Sequence, residues 1–497
     1  MKENNERIRM DSLEVAGSRD GLPRPKVEGR FAAAGRGGEV GSVADAEHKS
    51  HKTLGPVHVW ALGVGIVLVG EFMGWNLTIR QGGTMSALIG LFLMSLMYMG
   101  QVMMVSEMAT VMPEAGGQYT MAKYLLGPLA AFNVGLMAVL EYAMLEAGDV
   151  IVVGQLLNSL DPGINVIAFT LLSLLGLAWI NYHGAHSSLT INFFITAAAF
   201  ATVILLLFST KFFSPSGSLL KLSEYSNGLP YGPLGLIAAI GYSCWFFLGI
   251  EGTAMAADEC RSAGRSVPLG GMLGIATLLT GGTITWLVSS GLMTPETLGD
   301  SVYPLYDAAK MTGSKFVSAA LFVGSILACL ASANGCINDS AEAWSALSRD
   351  GLIPNIFAKK HPKFGSHYIS IIFLLPISLG FAMTGLLDQV VTFSIFSALI
   401  IYLLTCIMMF RFRKMYPLGT IKRTFTAPLF PILPIVTLII VILGIFGLHL
   451  NYGINLIACT LFYFLASVWF LVRRYKYVDK ETFMKAGLDK FSREMGE

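Results

Sequence analysis

From Pro56 to Val472 the chain is a succession of long apolar runs separated by short polar breaks. Each run is too long for a strand and long enough, at 1.5 Å of rise per residue, to cross a bilayer as a helix. The runs lie at roughly 57–79, 84–110, 127–157, 163–181, 188–210, 232–257, 268–291, 316–340, 367–385, 389–410, 428–449 and 452–472. The pattern therefore predicts an all-α polytopic membrane protein with twelve spans. Residues 1–52 are polar, rich in Gly, Arg, Lys and Glu, with no apolar core of the kind a signal peptide needs, and read as a disordered tail.

Polar positions inside the runs break the pattern. Span 1 contains Gly70-Glu71-Phe72-Met73-Gly74-Trp75-Asn76. A carboxylate at bilayer depth is costly without water, a partner or a cationic ligand, so Glu71 marks a candidate site. Span 6 contains Trp245-Phe246-Phe247-Leu248-Gly249-Ile250-Glu251-Gly252, a second glycine-flanked glutamate five spans later. An odd offset inverts the second copy relative to the first. Inverted repeats with matching broken helices build midplane binding sites in transporters, where glycine leaves backbone carbonyls and amides free to coordinate a solute. A single such segment is equally well explained by close helix packing. Two at equivalent positions, each with an acid, favour a site.

Span 3 adds Glu141, Glu146 and Asp149. At 100° per residue Tyr142, Glu146 and Asp149 fall on one stripe, expected to face a cavity or its mouth, and Glu141 points elsewhere. The competing reading pairs Glu146 or Asp149 with a neighbour's donor. Span 8 carries Ser332-Ala333-Asn334-Gly335 and Asn338-Asp339-Ser340. Ser332 and Asn334 suit either Na⁺ coordination or interhelical hydrogen bonding.

Composition narrows the class. The chain is 54% hydrophobic and only 13% charged, which excludes a soluble fold of this length, and the formal net charge of +2 points to no nucleic-acid partner. Lys and Arg concentrate in alternate loops, at Lys123, Arg261, Arg265, Arg349, Lys359, Lys360, Lys363, Arg411 to Lys414, Lys422 and Arg423, and in the tail from Arg473. That places both termini in the cytoplasm. Six cysteines without CxxC spacing (Cys244, Cys260, Cys329, Cys336, Cys406, Cys459) read as small buried hydrophobes, and His183 with His186 lacks a third ligand. No metal site and no cofactor is expected. Nucleotide-binding and hydrolase motifs are absent from the sequence, so neither an ATP-driven pump nor an enzyme is indicated.

Three motifs carry a resemblance. Glu107-Met108-Ala109 through Pro113-Glu114-Ala115-Gly116-Gly117-Gln118-Tyr119, Phe247-Leu248-Gly249-Ile250-Glu251, and Arg349-Asp350-Gly351-Leu352-Ile353-Pro354 are similar to signatures of the amino acid–polyamine–organocation superfamily. The resemblance implies a leucine-transporter-type 5+5 inverted repeat with helices 1 and 6 broken: 53–231 as the first repeat, 232–411 as the second, 412–472 as helices 11 and 12, and 473–497 as a cytoplasmic tail. It also implies secondary transport by alternating access. Within the superfamily, the Glu71 segment with Gly82-Gly83, Leu140-Glu141-Tyr142-Ala143 and the span 6 motif most resemble bacterial ethanolamine permeases, although those lack acids at the positions of Glu146 and Asp149.

The chemistry of Glu71 agrees with a cation. Glycine-rich amides at a broken helix 1 suit a carboxylate, and a glutamate planted there would repel one. The expected substrate is thus a small organic amine such as ethanolamine, with choline, a diamine or polyamine, or a neutral amino acid as alternatives, and a receptor or enzyme without flux as the competing class. Expected substrate-binding residues are Gly70, Glu71, Gly74, Trp75, Tyr142, Glu146, Trp245, Phe247, Gly249, Glu251 and Asn334. Asp149, Ser332 and Glu141 are candidates for coupling or gating. In proton-coupled relatives a lysine of helix 5 stands where sodium would lie. Span 5 has none, so Na⁺ and H⁺ both stay open as coupling ion.

Overall fold

The structure, a computed structural model, describes residues 54–475 and 478 except 113–115, 185, 215–216, 258–259 and 422, with backbone only for 186–192 and 256. The polar segment 1–52, Pro113 to Ala115 of the first motif, Lys422 and the tail from 479 on lie outside the described residues.

The described residues form helices and connecting loops with no sheet. In chain order these are α1 (Pro56–Val67), α2 (Val69–Met73), α3 (Trp75–Gly82), α4 (Thr84–Val111), α5 (Gln118–Leu125), α6 (Pro128–Leu160), α7 (Val166–Tyr182), α8 (His186–Ser209) and α9 (Leu222–Tyr225). There follow α10 (Gly232–Ser243), two 3₁₀ turns (Cys244–Phe246 and Ile250–Ala257), α11 (Ala263–Leu292), α12 (Pro295–Asp300), α13 (Pro304–Met311), α14 (Lys315–Arg349), α15 (Tyr368–Ala382), α16 (Leu387–Met415) and α17 (Ile432–Arg473). Seven stretches are long and apolar enough to cross a membrane, and three shorter apolar helices accompany them among the described residues. α6, at 33 residues, is also long enough but carries three acids.

Local chemistry sets the helix ends. Pro128 opens α6 after Gly127, whose φ of +94° turns the chain where a side chain would strain. The Asn165 side chain caps α7 through the Ala168 amide at 3.1 Å, and Ser314 caps α14 through the Val317 amide at 3.3 Å. The expected spans 11 and 12 are joined in α17, and only Tyr452, at φ −138° and ψ 45°, departs from helical geometry between them.

α6 is the hub of the packing, in contact with α14, α16, α7 and α15, while α11 packs on α1 and α4, and α17 on α16 and α10. One large apolar core runs through these contacts. The outer face of α17 presents Ile435, Ile439, Ile442, Ile457, Leu461 and Phe464, an exposed apolar surface fit for lipid.

The break in span 1 is milder than its glycines suggest. Leu68 and Gly74 interrupt the helix but keep right-handed helical angles, and the Gly74 amide donates to the Gly70 carbonyl at 2.8 Å. The expectation of unwound carbonyls at Gly70 to Gly74 is corrected accordingly: Gly70 O is already engaged. Span 6 is interrupted in earnest. α10 ends at Ser243, Phe247 takes φ −134° and ψ 0°, and Gly249 takes φ +99°. Only three-residue turns continue the chain, from Phe247 N to Cys244 O, Ile250 N to Phe247 O and Gly252 N to Gly249 O.

Candidate functional site in the membrane interior

The glycines of span 1 let it approach the broken stretch of span 6. A Cβ on Gly70 would run into the Trp245 carbonyl, and one on Gly74 would lie 2.9 Å from the Phe246 ring. Trp75 stacks on Phe246 with centroids 4.2 Å apart and donates from Nε1 to Thr285 at 3.0 Å. Close packing, the plainer reading of these glycines, is what their geometry displays. Trp245 is buried and its Nε1 has no acceptor.

Apart from Glu107, near the end of α4, six carboxyls of the spans are buried: Glu71, Glu141, Glu146, Asp149, Glu251 and Asp339. Among the described residues none is paired with a Lys or Arg. They fall into three places.

Glu141, Glu251 and Asp339 form the first. The Glu251 carboxyl approaches that of Glu141, the Tyr402 hydroxyl and the Gly249 backbone. Tyr142 faces the same three acids. A Cβ on Gly252 would lie 2.8 Å from Asp339 Oδ2 and 3.3 Å from the Tyr142 hydroxyl, so the missing side chain leaves open the point where α6, α14 and the broken stretch meet. Tyr98 extends the group: its hydroxyl lies 3.3 Å from the Cys244 carbonyl and 3.3 Å from the Tyr402 hydroxyl, and its ring packs on Phe247 at 5.5 Å. Both oxygens of Glu251, Glu141 Oε1 and Asp339 Oδ2 complete no hydrogen bond.

Glu146 and Asp149 form the second. Ser378 of α15 donates to Glu146 Oε1, and Ser332 of α14 is directed at Asp149. Asn334, on the same stretch of α14, accepts from Asn181 of α7 at 2.8 Å, a bond between helices. The expected Tyr142, Glu146, Asp149 stripe is thus divided, with Tyr142 going to the Glu251 group and Glu141 joining it there.

Glu71 is third and stands apart. Its carboxyl lies against Gly281 and Gly282 of α11 and beside Phe200 of α8, with neither oxygen in a formed hydrogen bond. It is not grouped with Glu251. The helix periodicity of span 1 places Glu71 on a different side from Gly70 and Gly74, which face Trp245 and Phe246.

Asp339 enters the sequence reading only within Asn338-Asp339-Ser340, and Tyr98 and Tyr402 do not enter it. Asp339 had a signal, an acid two turns beyond Ser332 on the same face of span 8. The two tyrosines had none, since a tyrosine in an apolar helix is usually packing.

The sequence motifs away from the centre hold the ends of helices. Glu107 is fully buried and bonds Arg413 at 2.7 Å, Arg423 at 2.6 Å and the Ala427 amide at 2.8 Å. Asp350 accepts from Lys123 at 2.7 Å and from Tyr119 at 2.5 Å, tying α5 to the end of α14. At the other end of span 1, Asn76 donates to the Ser301 carbonyl at 2.7 Å and Arg80 pairs with Asp300 at 3.3 Å. The six cysteines are buried free thiols. His183 packs on Trp179 and Phe364. An apolar groove of about 750 Å³ between α16 and α17, lined by Phe396, Phe446 and His449 among others, is a separate feature from all three acid groups.

Residues 57–488 match the family described as Amino acid permease. An uncharacterised transporter of Rhizobium meliloti (strain 1021) is 46% identical over 434 residues, covering 86% of this chain and 93% of the relative. The methylthioribose transporter of Bacillus subtilis (strain 168) is 25% identical over 445 residues, covering 84% and 93%, and the branched-chain amino acid permease BcaP of the same organism is 23% identical over 420 residues, covering 78% and 86%. With an interrupted sixth span, a membrane-spanning helical fold and a family match across nearly its whole length, the chain belongs to the amino acid permease family of the amino acid–polyamine–organocation superfamily and is a multi-pass membrane transporter, not an enzyme.

Proposed function

We propose that this permease imports a small organic amine as its cation, with ethanolamine the first compound to test. One observation carries the reading. Asp339 and the Tyr142 hydroxyl meet at Gly252, next to Glu251, whose carboxyl approaches that of Glu141; several of these carboxyl oxygens complete no hydrogen bond, and no Lys or Arg is paired to them among the described residues. Buried carboxylates without a counter-ion are expensive, and an ammonium group offers both the opposite charge and three N–H donors. Tyr142 and Tyr98 add aromatic faces suited to a cation. A substrate carboxylate would meet like charge from three sides.

In this reading twelve spans form two inverted repeats of five with helices 11 and 12 added, both termini are cytoplasmic in the bacterial inner membrane, and alternating access exposes the Glu251 group to each side in turn. Trp245 and Phe247 wall the site, and Glu71 supports the helix packing instead of touching the amine. A second reading, a neutral amino acid, is favoured by the family's description and by the branched-chain permease among its relatives. Uptake of labelled ethanolamine, choline, putrescine and leucine into proteoliposomes separates the two: accumulation of leucine alone would sink the amine reading.

A further inference from the structure

Glu146 and Asp149 are not used by the substrate reading. They sit one to two turns further along α6 than Glu141 and Tyr142, between α6, α14 and α15, and are 2% and 1% exposed. Ser378 donates to Glu146 Oε1, and Glu146 Oε2 and both Asp149 oxygens complete no hydrogen bond. Ser332 Oγ is fully buried, completes no hydrogen bond and lies beside Asp149. The titratable groups facing the pair are the thiols of Cys329 and Cys336 on α14. α15 contributes Ser378, α7 contributes Thr170, bonded to the Val150 carbonyl, and α16 faces this stretch with Leu387 and Val391. No Lys or Arg is ion-paired to either carboxyl among the described residues.

We propose that Glu146 and Asp149, steadied by Ser378 and Ser332, form a proton-binding site separate from the substrate site, through which transport is coupled to a proton gradient. A charge here is buried and has no Lys or Arg paired to it among the described residues, so a cation must accompany it. A proton needs one carboxyl oxygen and no coordination shell. That suits close-packed helices in which Ser378 already occupies one Glu146 oxygen. The step is simple: a proton adds to a carboxylate oxygen when one side is open to water and leaves as hydronium to the other, with no other bond changed. The path to the substrate is short. Cys336 of α14 neighbours Glu146 and Asp149 as well as Asp339 and Tyr142, so a shift of α14 is felt at both places.

The proposal deepens the transport reading by naming the coupling ion, and it has a test of its own. Full-length wild type, Glu146→Gln, Asp149→Asn and Ser378→Ala are compared by pH-difference infrared spectroscopy, which needs no substrate. The expected result is a carboxyl C=O band that shrinks in the first two variants and shifts in the third. In proteoliposomes, an inward gradient of one pH unit should drive about tenfold accumulation of amine for one proton per substrate, and that accumulation should be lost in Glu146→Gln and Asp149→Asn. Superimposable spectra for all four proteins would overturn the proposal, as would accumulation that follows a sodium gradient and ignores pH. A wild type that moves none of the solutes would sink the substrate reading, and the infrared comparison would still decide this one.

Discussion

Glu141, on α6, and Glu251, in the broken stretch of span 6, turn their carboxyls toward one another, with the Tyr402 hydroxyl beside them. Two acids brought together without a fixed cation are suited to sharing one from the substrate. Glu251→Gln keeps the shape and removes the charge. Losing one charge-assisted hydrogen bond of about 2 kcal/mol should weaken amine binding roughly thirtyfold. Glu141→Gln should act in the same direction. Glu71→Gln should leave affinity within about threefold, because its carboxyl faces Gly281. Titration calorimetry on purified protein reads all three, and a larger loss for Glu71→Gln than for Glu251→Gln would return Glu71 to the substrate site.

That inversion shows where sequence reading stops. Hydropathy placed most helix ends to within about five residues, although α14 continues nine residues past the expected end of span 8, and the glycines around Glu251 marked the interruption at Gly249 because φ of +99° is a backbone requirement written in one residue. The same glycine signal misled in span 1, where Gly70 and Gly74 serve close approach to Trp245 and Phe246 while the helix stays hydrogen bonded. Which way Glu71 points depends on Gly281 and Gly282 of α11, a partner that no local pattern names. Helical periodicity put Glu146 and Asp149 on one side, as found, but could not foresee that the long Tyr142 side chain reaches Gly252 instead.

Glycine contacts separate packing from permissiveness. Gly70→Ala places a methyl group against the Trp245 backbone, which cannot give as a side chain can, and should lower the melting temperature and folded yield. Gly176→Ala is the control, because a Cβ there meets nothing within 4 Å and alanine favours a helix by about 0.5–1 kcal/mol. Thermal unfolding of the two in the same detergent should move in opposite directions or, for Gly176→Ala, not at all. Equal destabilisation would mean the approach at Gly70 is not tight.

Glu107 is another buried carboxyl, here paired with two arginines. Its oxygens take Arg413, Arg423 and the Ala427 amide, joining the end of α4 to the last turn of α16 and the loop after it. Glu107→Gln leaves two largely buried guanidinium groups without a counter-ion. Removing one partner of a buried pair costs about 3–5 kcal/mol, so a fall in melting temperature of several degrees is expected. Arg413→Met combined with Glu107→Gln should recover part of it. A Glu107→Gln protein as stable as wild type would show that the arginines find water.

His367, at the start of α15, gives a pH dependence of defined sign. Burial, then Lys360 and Arg349, push its pKa from the ordinary 6.5 down to about 3, and Glu342, 3.9 Å away, does not reverse this. Below pH 6.5 the unfolded chain takes up a proton that the folded chain refuses, so stability falls as the pH drops from 6.5 toward 3, by up to about 1.4 kcal/mol per unit. Above 6.5 both states are neutral and the residue contributes no slope. His367→Gln should flatten the acid side of a melting-temperature profile between those limits without changing the neutral side. A profile that keeps its full acid slope in the variant would assign the loss to other groups and free His367 from this role.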